Sequence, residues 1–438
     1  MESRAIRIGM IGAGVVGQGI LRLLHDNAEM IEGRLGGRID VRRIAARDAD
    51  KARAEAVPRD RLTFDPWSII DDPDIDIVVE VMGGLAPAGE LVRAAIERAK
   101  HVVTANKALL AEHGDELLEL AEQKGVDLYF EAAVAGGIPI IRLLREAFAS
   151  DRIVALRGIV NGTSNYILTR MTDAGLEFGD ALREAQEKGY AEADPTLDVG
   201  GGDAAHKLTI LATLAYGARM SLSQVTCEGI DVVSAIDIAT ARRFGYVIKP
   251  LAVARVVDGG ELDVRVHPAL VGEKHVLASI GGALNAVLIE GAMLGPCMIS
   301  GLGAGALPTA MSVVSDIVDV GRNLLVGSHG RVPSRSFRGE HLVARAVQDA
   351  GEHRTRFYLR FTVRDRPGIL ARIAGVLGAF EVSIEQMLQE GIGTGDRPVE
   401  VVMLTHHCRE QNVRDALREI TSLHDVVEPP RAIRIEDL

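Results

Sequence analysis

Apolar positions set two alternating rhythms along the first third of the chain. AIRIGMIGAG (5–14) is a short apolar run that ends in glycines and reads as a buried strand entering a turn. VVGQGILRLLHDNAEMIEG (15–33) follows, with Val16, Ile20, Leu23 and Leu24 on one helical stripe. IDVRRIAAR (39–47) predicts a second strand. DIDIVVEVMGG (74–84) predicts a strand buried on both faces, because its Ile and Val run leaves little room for a polar side. A helix at 87–100, a short strand at HVVTAN (101–106), a helix at 107–125 and a strand at VDLYFEAAV (126–134) complete the series. Regular alternation of this kind predicts a doubly wound parallel sheet, a Rossmann-like domain over 1–140.

The rhythm then changes. ALRGIVNGTSNYIL (155–168) reads as strand, loop and helix, and further helices are expected at 178–189 and from Asp203. YVIKPLAVARVV (246–257) and ELDVRVHPALV (261–271) are long strand candidates with no helix between them, so an α+β mixed-sheet domain is predicted over 141–327. GLGAGALPTAMSVVSDIVDVGRNLLVG (301–327) reads as a glycine loop before a long helix that returns to the first domain. Periodicity is lost over 328–355, which reads as a linker. Residues 356–438 then give strand, helix, strand, strand, helix, strand, the ferredoxin-like βαββαβ order.

Composition narrows the classes. A chain of 438 residues exceeds one ordinary hydrophobic core, so two or three domains are expected. The formal net charge of −12 argues against nucleic acid as a partner. No apolar run is long enough to span a bilayer, and the first residues lead straight into a strand with no secretory pattern. Cys227, Cys297 and Cys408 are far apart and show neither metal spacing nor a disulfide framework, so the cytoplasm is the expected location.

Five motifs carry chemistry. Gly12-Ala13-Gly14-Val15-Val16-Gly17 is GxGxxG at a strand-to-helix junction, where glycines let backbone approach a pyrophosphate at a helix N-terminus. At the tip of the second strand, Arg47 favours the 2′-phosphate of NADP and the adjacent Asp48 leaves NAD open. Thr104-Ala105-Asn106-Lys107 lies at the carboxyl end of a parallel strand, the edge where such sheets bind ligands, although an exposed lysine opening a helix would look the same. EAAVAGGIP (131–139) ends another strand with small residues, whose carbonyls and one carboxylate would suit a hard monovalent cation or simply form a tight turn. In GYAEADPTLDVGGGDAAHKLTIL (189–211), Asp203 and Lys207 are four apart and share a helical face. They are an acid/base pair or an exposed ion pair with Asp203 as a routine cap. The three preceding glycines argue that backbone there approaches something closely.

Together these segments resemble the homoserine dehydrogenase family over nearly the whole chain, through GAGVVG, TANKALLAEHG, EAAVAGGIPII, GIVNGTSNYIL, GYAEADPTLDVGGGDAAHKL and GLGAGALPTA. The C-terminal unit, with Asp365-Arg366-Pro367-Gly368-Ile369-Leu370 after its first strand, resembles an ACT domain, a small amino-acid-sensing module. The resemblance implies reversible NAD(P)H-dependent reduction of L-aspartate 4-semialdehyde to L-homoserine, on the route to threonine and methionine. It implies Lys207 as general acid, Asp203 as its partner and Lys107 at the cofactor–substrate junction. Glu192 would take the substrate's amino group, with Asp198 beside it. Gly12 to Gly17, Arg47, Thr104, Lys107 and Gly303 would hold the cofactor, NADP(H) before NAD(H). Glu131, Val134, Gly136 and Ile138 match the family's Na+ or K+ site, the last three through carbonyls. L-Threonine is the implied effector, at Asp365, Pro367, Gly368 and Ile369, in a homodimer or homotetramer. A related semialdehyde dehydrogenase and a ligand sensor without turnover are the competing readings. Removing the chain from about residue 350 is expected to leave a working enzyme. Cys297, in the late loop GPCMISGLGAGALPTA, has no assigned role.

Overall fold

The computed structural model describes residues 5–48, 57–390 and 398–437. The chain forms two compact units, neither continuous in sequence.

The first comprises Met1–Val160, Asp203–Val225 and Leu284–Arg345. Its strands β1 (Ala5–Ile11), β2 (Arg38–Ala45), β3 (Leu62–Thr63), β4 (Ile77–Glu80), β5 (His101–Thr104) and β6 (Leu128–Tyr129) form a six-stranded sheet in the order β3-β2-β1-β4-β5-β6. Every pairing is parallel. This is the doubly wound order whose switch point, between β1 and β4, lies beside the glycine fingerprint. The predicted first helix is two, Val15–Asp26 and Ala28–Leu35, broken at Asn27. The long helix Ala306–Leu325 does return to this sheet. Its Ala310, Val313, Ile317 and Val320 share one core with Ile8, Ile20 and Ile77. Gly19 allows the approach, since a Cβ there would lie 2.6 Å from the Ala306 carbonyl.

Two expectations in this unit are corrected. VDLYFEAAV is strand only at Leu128–Tyr129, because Glu131–Ala133 turns into a 3-10 helix. The late loop begins as a strand: Gly295–Leu302 pairs antiparallel with Leu284–Gly291, which pairs in turn with β7 (Ile153–Ile159). Cys297 stands on that strand. The stretch read as a linker is irregular yet anchored. Arg335 is 1 % exposed and pairs with Asp115 and Glu122 at 2.7 and 2.8 Å.

The second unit comprises Asn161–Gly202, Thr226–Ala283 and Ala346–Leu438. Tyr246–Val256 and Leu262–Gly272 form an antiparallel pair in full register. The C-terminal part follows the expected order: strand Arg354–Arg364, helix Ile369–Ala379, strands Ile384–Glu390 and Pro398–Thr405, helix Glu410–Thr421, strand Arg431–Glu436. Its last strand, however, lies between two partners. Arg431–Glu436 pairs antiparallel with Arg354–Arg364 and parallel with Leu262–Gly272. The βαββαβ part is therefore sheet-continuous with the preceding strands, and cutting near residue 350 would strip Leu262–Gly272 of one neighbour. A helix at Ala235–Arg243, opened by a Ser234–Asp237 capping box, was not foreseen.

Candidate active site

The site in the first unit starts from backbone. After β1, Gly12 adopts φ +123°, and a Cβ there would lie 2.7 Å from the Val81 carbonyl. Gly17 packs its helix onto that turn, since a Cβ would come within 2.2 Å of the Gly12 oxygen. Gly14 differs: a Cβ would meet nothing within 4 Å. It caps Val15–Asp26 without a side-chain hydrogen bond, and Val15 is exposed. Two glycines thus serve packing, and the third faces open space at an uncapped helix N-terminus, which suits a phosphate. The cleft here, about 370 Å³, is also lined by Arg47, Asp48, Phe64 and Met82. The donor set fits a dinucleotide.

A second cleft of about 280 Å³ shares Val81 and Met82 with the first and is lined by Val16, Lys107, Lys207 and Gly303. Three charged groups meet beside it. Asp203, in the first turn of helix Gly202–Tyr216, is buried. Its Oδ2 accepts from Lys207 Nζ at 2.6 Å and its Oδ1 pairs with Lys107 Nζ at 2.5 Å. Lys207 Nζ also donates to the Val160 carbonyl at 2.7 Å. Burial alone would raise the Asp203 pKa, but the two ammonium groups outweigh it and hold the carboxyl well below the usual range. Burial lowers the pKa of half-buried His206. A buried ammonium with one face toward a cleft can deliver a proton to an oxyanion, and a second ammonium beside it can stabilise that oxyanion's charge.

Other elements aim these groups. Asn106 caps helix Lys107–Lys124 by accepting from the Leu109 amide at 3.1 Å, and its Nδ2 donates to the Gly84 carbonyl at 2.7 Å. Thr104 is fully buried; its hydroxyl donates to Glu80 at 2.5 Å and accepts from the Asn106 amide at 3.0 Å. Its side chain therefore shapes the turn under Lys107. Buried Glu80 also accepts from the Met82 and Gly83 amides at 2.9 and 3.0 Å, fixing the loop common to both clefts. Gly303 permits contact with Asn285, whose Nδ2 donates to the Ile159 carbonyl at 2.8 Å. Glu80, Asn285 and the Val160 carbonyl escaped the sequence reading, and Asn106 entered it only as part of its motif, with no role. Only Asn106 has a local signal, as a capping residue before an apolar run.

Glu131, Val134 and Ile138 are buried, and Ala132, Ala135 and Gly136 of the same segment line the second cleft. Glu131 accepts from the Ile141 and Arg142 amides, each at 2.8 Å, so its carboxylate caps the next helix. The Gly136 carbonyl accepts from Ser312 at 2.6 Å, and that of Ile138 from the Ile140 amide at 2.8 Å. Burial and the charge of Glu131 push Asp316 up to about 8. Among the described residues, no cluster of three or more His, Cys, Asp or Glu side chains could hold a metal ion.

The remaining candidates belong to the second unit. Glu192 is exposed, and its backbone carbonyl accepts from Gln186 at 3.1 Å. Asp198 accepts from Asn161 Nδ2 at 2.7 Å, and Asn161 also caps helix Gly162–Ala174. Asp365, Pro367 and Gly368 form an exposed turn, Ile369 is buried behind it, and Gly368 takes φ +89° at the start of helix Ile369–Ala379.

Fold and site define an oxidoreductase with an NAD(P)-binding domain, an amine–carboxylate centre and a C-terminal ACT domain. Family models describe residues 12–131 as a homoserine dehydrogenase NAD-binding domain, 139–318 as homoserine dehydrogenase and 357–425 as an ACT domain. The chain is 43 % identical over 435 residues to a homoserine dehydrogenase of Neisseria gonorrhoeae, covering 99 % of both. It resembles the crystal structure of a homoserine dehydrogenase from Thiobacillus denitrificans, with TM-score 0.94, 45 % identity and coverage of 100 % of this chain and 99 % of that one. A hyperthermophilic archaeal homoserine dehydrogenase in complex with NADPH matches with TM-score 0.61 and 26 % identity, over 72 % of this chain and 98 % of that one. The chain belongs to the homoserine dehydrogenase family. Its substrates are accordingly homoserine and aspartate semialdehyde. No helix among the described residues is long and apolar enough to cross a membrane.

Proposed function

We propose that this enzyme reduces L-aspartate 4-semialdehyde to L-homoserine on the route to threonine and methionine, with NADPH preferred over NADH. The observation that carries the reading is Asp203 held between Lys107 and Lys207 beside a cleft adjoining the glycine fingerprint. The bound dinucleotide supplies the hydride to the aldehyde carbon. Lys207 then gives its Nζ proton to the alkoxide, and removes it in the reverse direction. Lys107 stabilises the oxyanion, and Asp203 keeps both amines in place. Glu192 takes the substrate's ammonium group, with Asp198 supporting its loop.

Exposed Arg47, which lines the same cleft as Gly14, supports the preference for a 2′-phosphate, and the archaeal relative's NADPH complex is in keeping with it. A monovalent cation would share the carbonyls of Val134, Gly136 and Ile138, near the buried carboxyl of Glu131. Three of these four groups already accept hydrogen bonds, so each would offer the ion its remaining lone pair. The turn Asp365–Ile369 would take L-threonine as feedback inhibitor, in a cytoplasmic homodimer or homotetramer.

Initial rates of homoserine oxidation with NADP and NAD, each with and without L-threonine and K+, test the whole reading. NADP-preferring turnover inhibited by threonine is expected. Equal rates with NAD would overturn the role of Arg47, and insensitivity to threonine would overturn that of the ACT turn.

A further inference from the structure

The three glycines before Asp203 imply close backbone contact, and the second unit shows what they meet. Gly201 has φ +85°, and a Cβ there would lie 2.8 Å from Cys227 Sγ and 3.3 Å from the Glu228 carbonyl. From the other side, a Cβ on Gly229 would lie 2.7 Å from the Val199 carbonyl. The Ile230 amide donates to that same carbonyl at 2.8 Å, and Cys227 Sγ donates to the Gly200 carbonyl at 3.3 Å. Residues 226–230 are therefore a splint laid backbone to backbone against turn 199–201, one residue short of the helix that begins Gly202-Asp203.

The splint is itself held at Glu228. Arg434, on the last strand of the ACT part, donates from Nη1 and Nη2 to the two Glu228 oxygens, each at 2.7 Å. On its other edge it donates from Nε and Nη2 to Glu410 at 2.8 and 2.5 Å. Arg434 is 5 % exposed, and Glu410 stands in the first turn of helix Glu410–Thr421. Two bidentate forks on one planar cation fix orientation as well as distance, which a point charge would not do. A buried arrangement of this kind is weak evidence for stability and better evidence for geometric specification.

We propose that Arg434, clamped between Glu228 and Glu410, is a positioning residue that fixes the splint 226–230 and, through it, the glycine turn that sets Asp203. This rests on Asp203 holding the reacting lysine, as proposed above. The ACT part thereby contributes to the geometry of turnover even without an effector.

The test uses the full chain and three variants, Glu228→Gln, Arg434→Lys and Asp203→Asn, with the double variant Glu228→Gln/Asp203→Asn. Glu228→Gln keeps size on a partly exposed side chain, so it folds even if Arg434→Lys does not. It should lower kcat between about ten- and a hundredfold, as small misplacements near chemistry do. NADPH affinity should stay within about twofold, because Gly12 and Gly17 pack against the Val81 carbonyl and each other rather than against the splint. Hydrogen exchange at the amides of residues 199–202 should accelerate. The double variant should lose no more than Asp203→Asn alone, because both act on one element. Unchanged kcat, unchanged exchange at 199–202, or fully multiplicative losses would each overturn the clamp. If Asp203→Asn alone retains wild-type turnover, the catalytic reading of Asp203 fails instead. Threonine insensitivity of the wild type would count against the effector reading and leave this test decisive.

Discussion

Two buried ionic clusters in this chain are built as opposites. In the first unit one carboxylate, Asp203, lies between two lysine ammonium groups. In the second, one guanidinium, Arg434, lies between two carboxylates. The choice of cation follows the task. A lysine is a compact charge on a flexible stem that can lose its proton, and Lys207 donates to a carboxylate and to a carbonyl. An arginine keeps its proton at any accessible pH and locks planar forks, and Arg434 makes four such bonds. The first cluster leaves a proton free to move, whereas the second removes freedom from the backbone beside it.

The contrast can be broken most severely by removing the second cluster entirely. A chain ending at Arg345 loses Arg434, Glu410 and the strand that pairs with Ala269–Val271, and the expected result is a fall in melting temperature of about 10 °C or more, or no soluble protein. Melting within about 2 °C of the full chain would show that the strand contributes little. Next in size is Lys207→Arg, which keeps charge but cannot yield a proton. It should lower kcat by about 10²–10⁴ with NADPH binding retained, and Lys207→Ala should do at least as much. Near-normal turnover in Lys207→Arg would reduce the lysine to an electrostatic handle. Smaller again is Gly14→Ala. Its Cβ meets open space in the protein, so stability should hold while NADPH affinity drops about tenfold. Gly17→Ala, with a carbonyl in the way, should lower stability as well, and calorimetry of both variants separates the cases.

The mildest effect is with pH. Burial, then the charge of Arg265, lowers His353 to about 2, and burial also lowers His267. Unfolding lets each take up a proton near 6.5, its ordinary value. The neutral histidines therefore support the second unit fully above pH 6.5, and that support is lost as pH falls below it. The slope is up to about 1.4 kcal/mol per pH unit for each. Asp203 is held far lower, so the first cluster stays charged through that window. Hydrogen exchange at pH 7.5 and 5.5 should show protection lost along Leu262–Gly272. Burial also lowers His101, on β5, and His206 in the first unit, so some loss is expected there as well; unchanged protection along Leu262–Gly272 would count against His267 and His353 as a cause.

What the sequence disclosed follows from range. The β-α alternation and the βαββαβ order are local periodicities, and the fold keeps both orders; the i,i+4 spacing likewise places Asp203 and Lys207 in contact. Lys107 looked like any helix-opening lysine on its own residues, because its partner Asp203 is far away along the chain. The hairpin Leu284–Leu302 was missed because glycine, proline and serine break up GPCMISGL, although its burial alternates residue by residue. Helix Ala235–Arg243 is short, and only Asp237, Ile238 and Ala241 are buried, too few for a stripe. Asp237 is among them because Arg360 reaches it at 2.7 Å, which no local pattern announces. The glycine run before Asp203 did signal a close approach, but not that residues 227–229 were its object.

The position of strand Arg431–Glu436 also governs how the molecule is made. Leu262–Gly272 leaves the ribosome roughly 165 residues before the strand that pairs with it, and at about 5–20 residues per second that is a wait of roughly 8–33 s. Through that interval the strand edge at Ala269–Val271 stands open to any neighbouring chain. Slower synthesis at lower temperature, or added chaperone, should then raise the soluble yield of this enzyme.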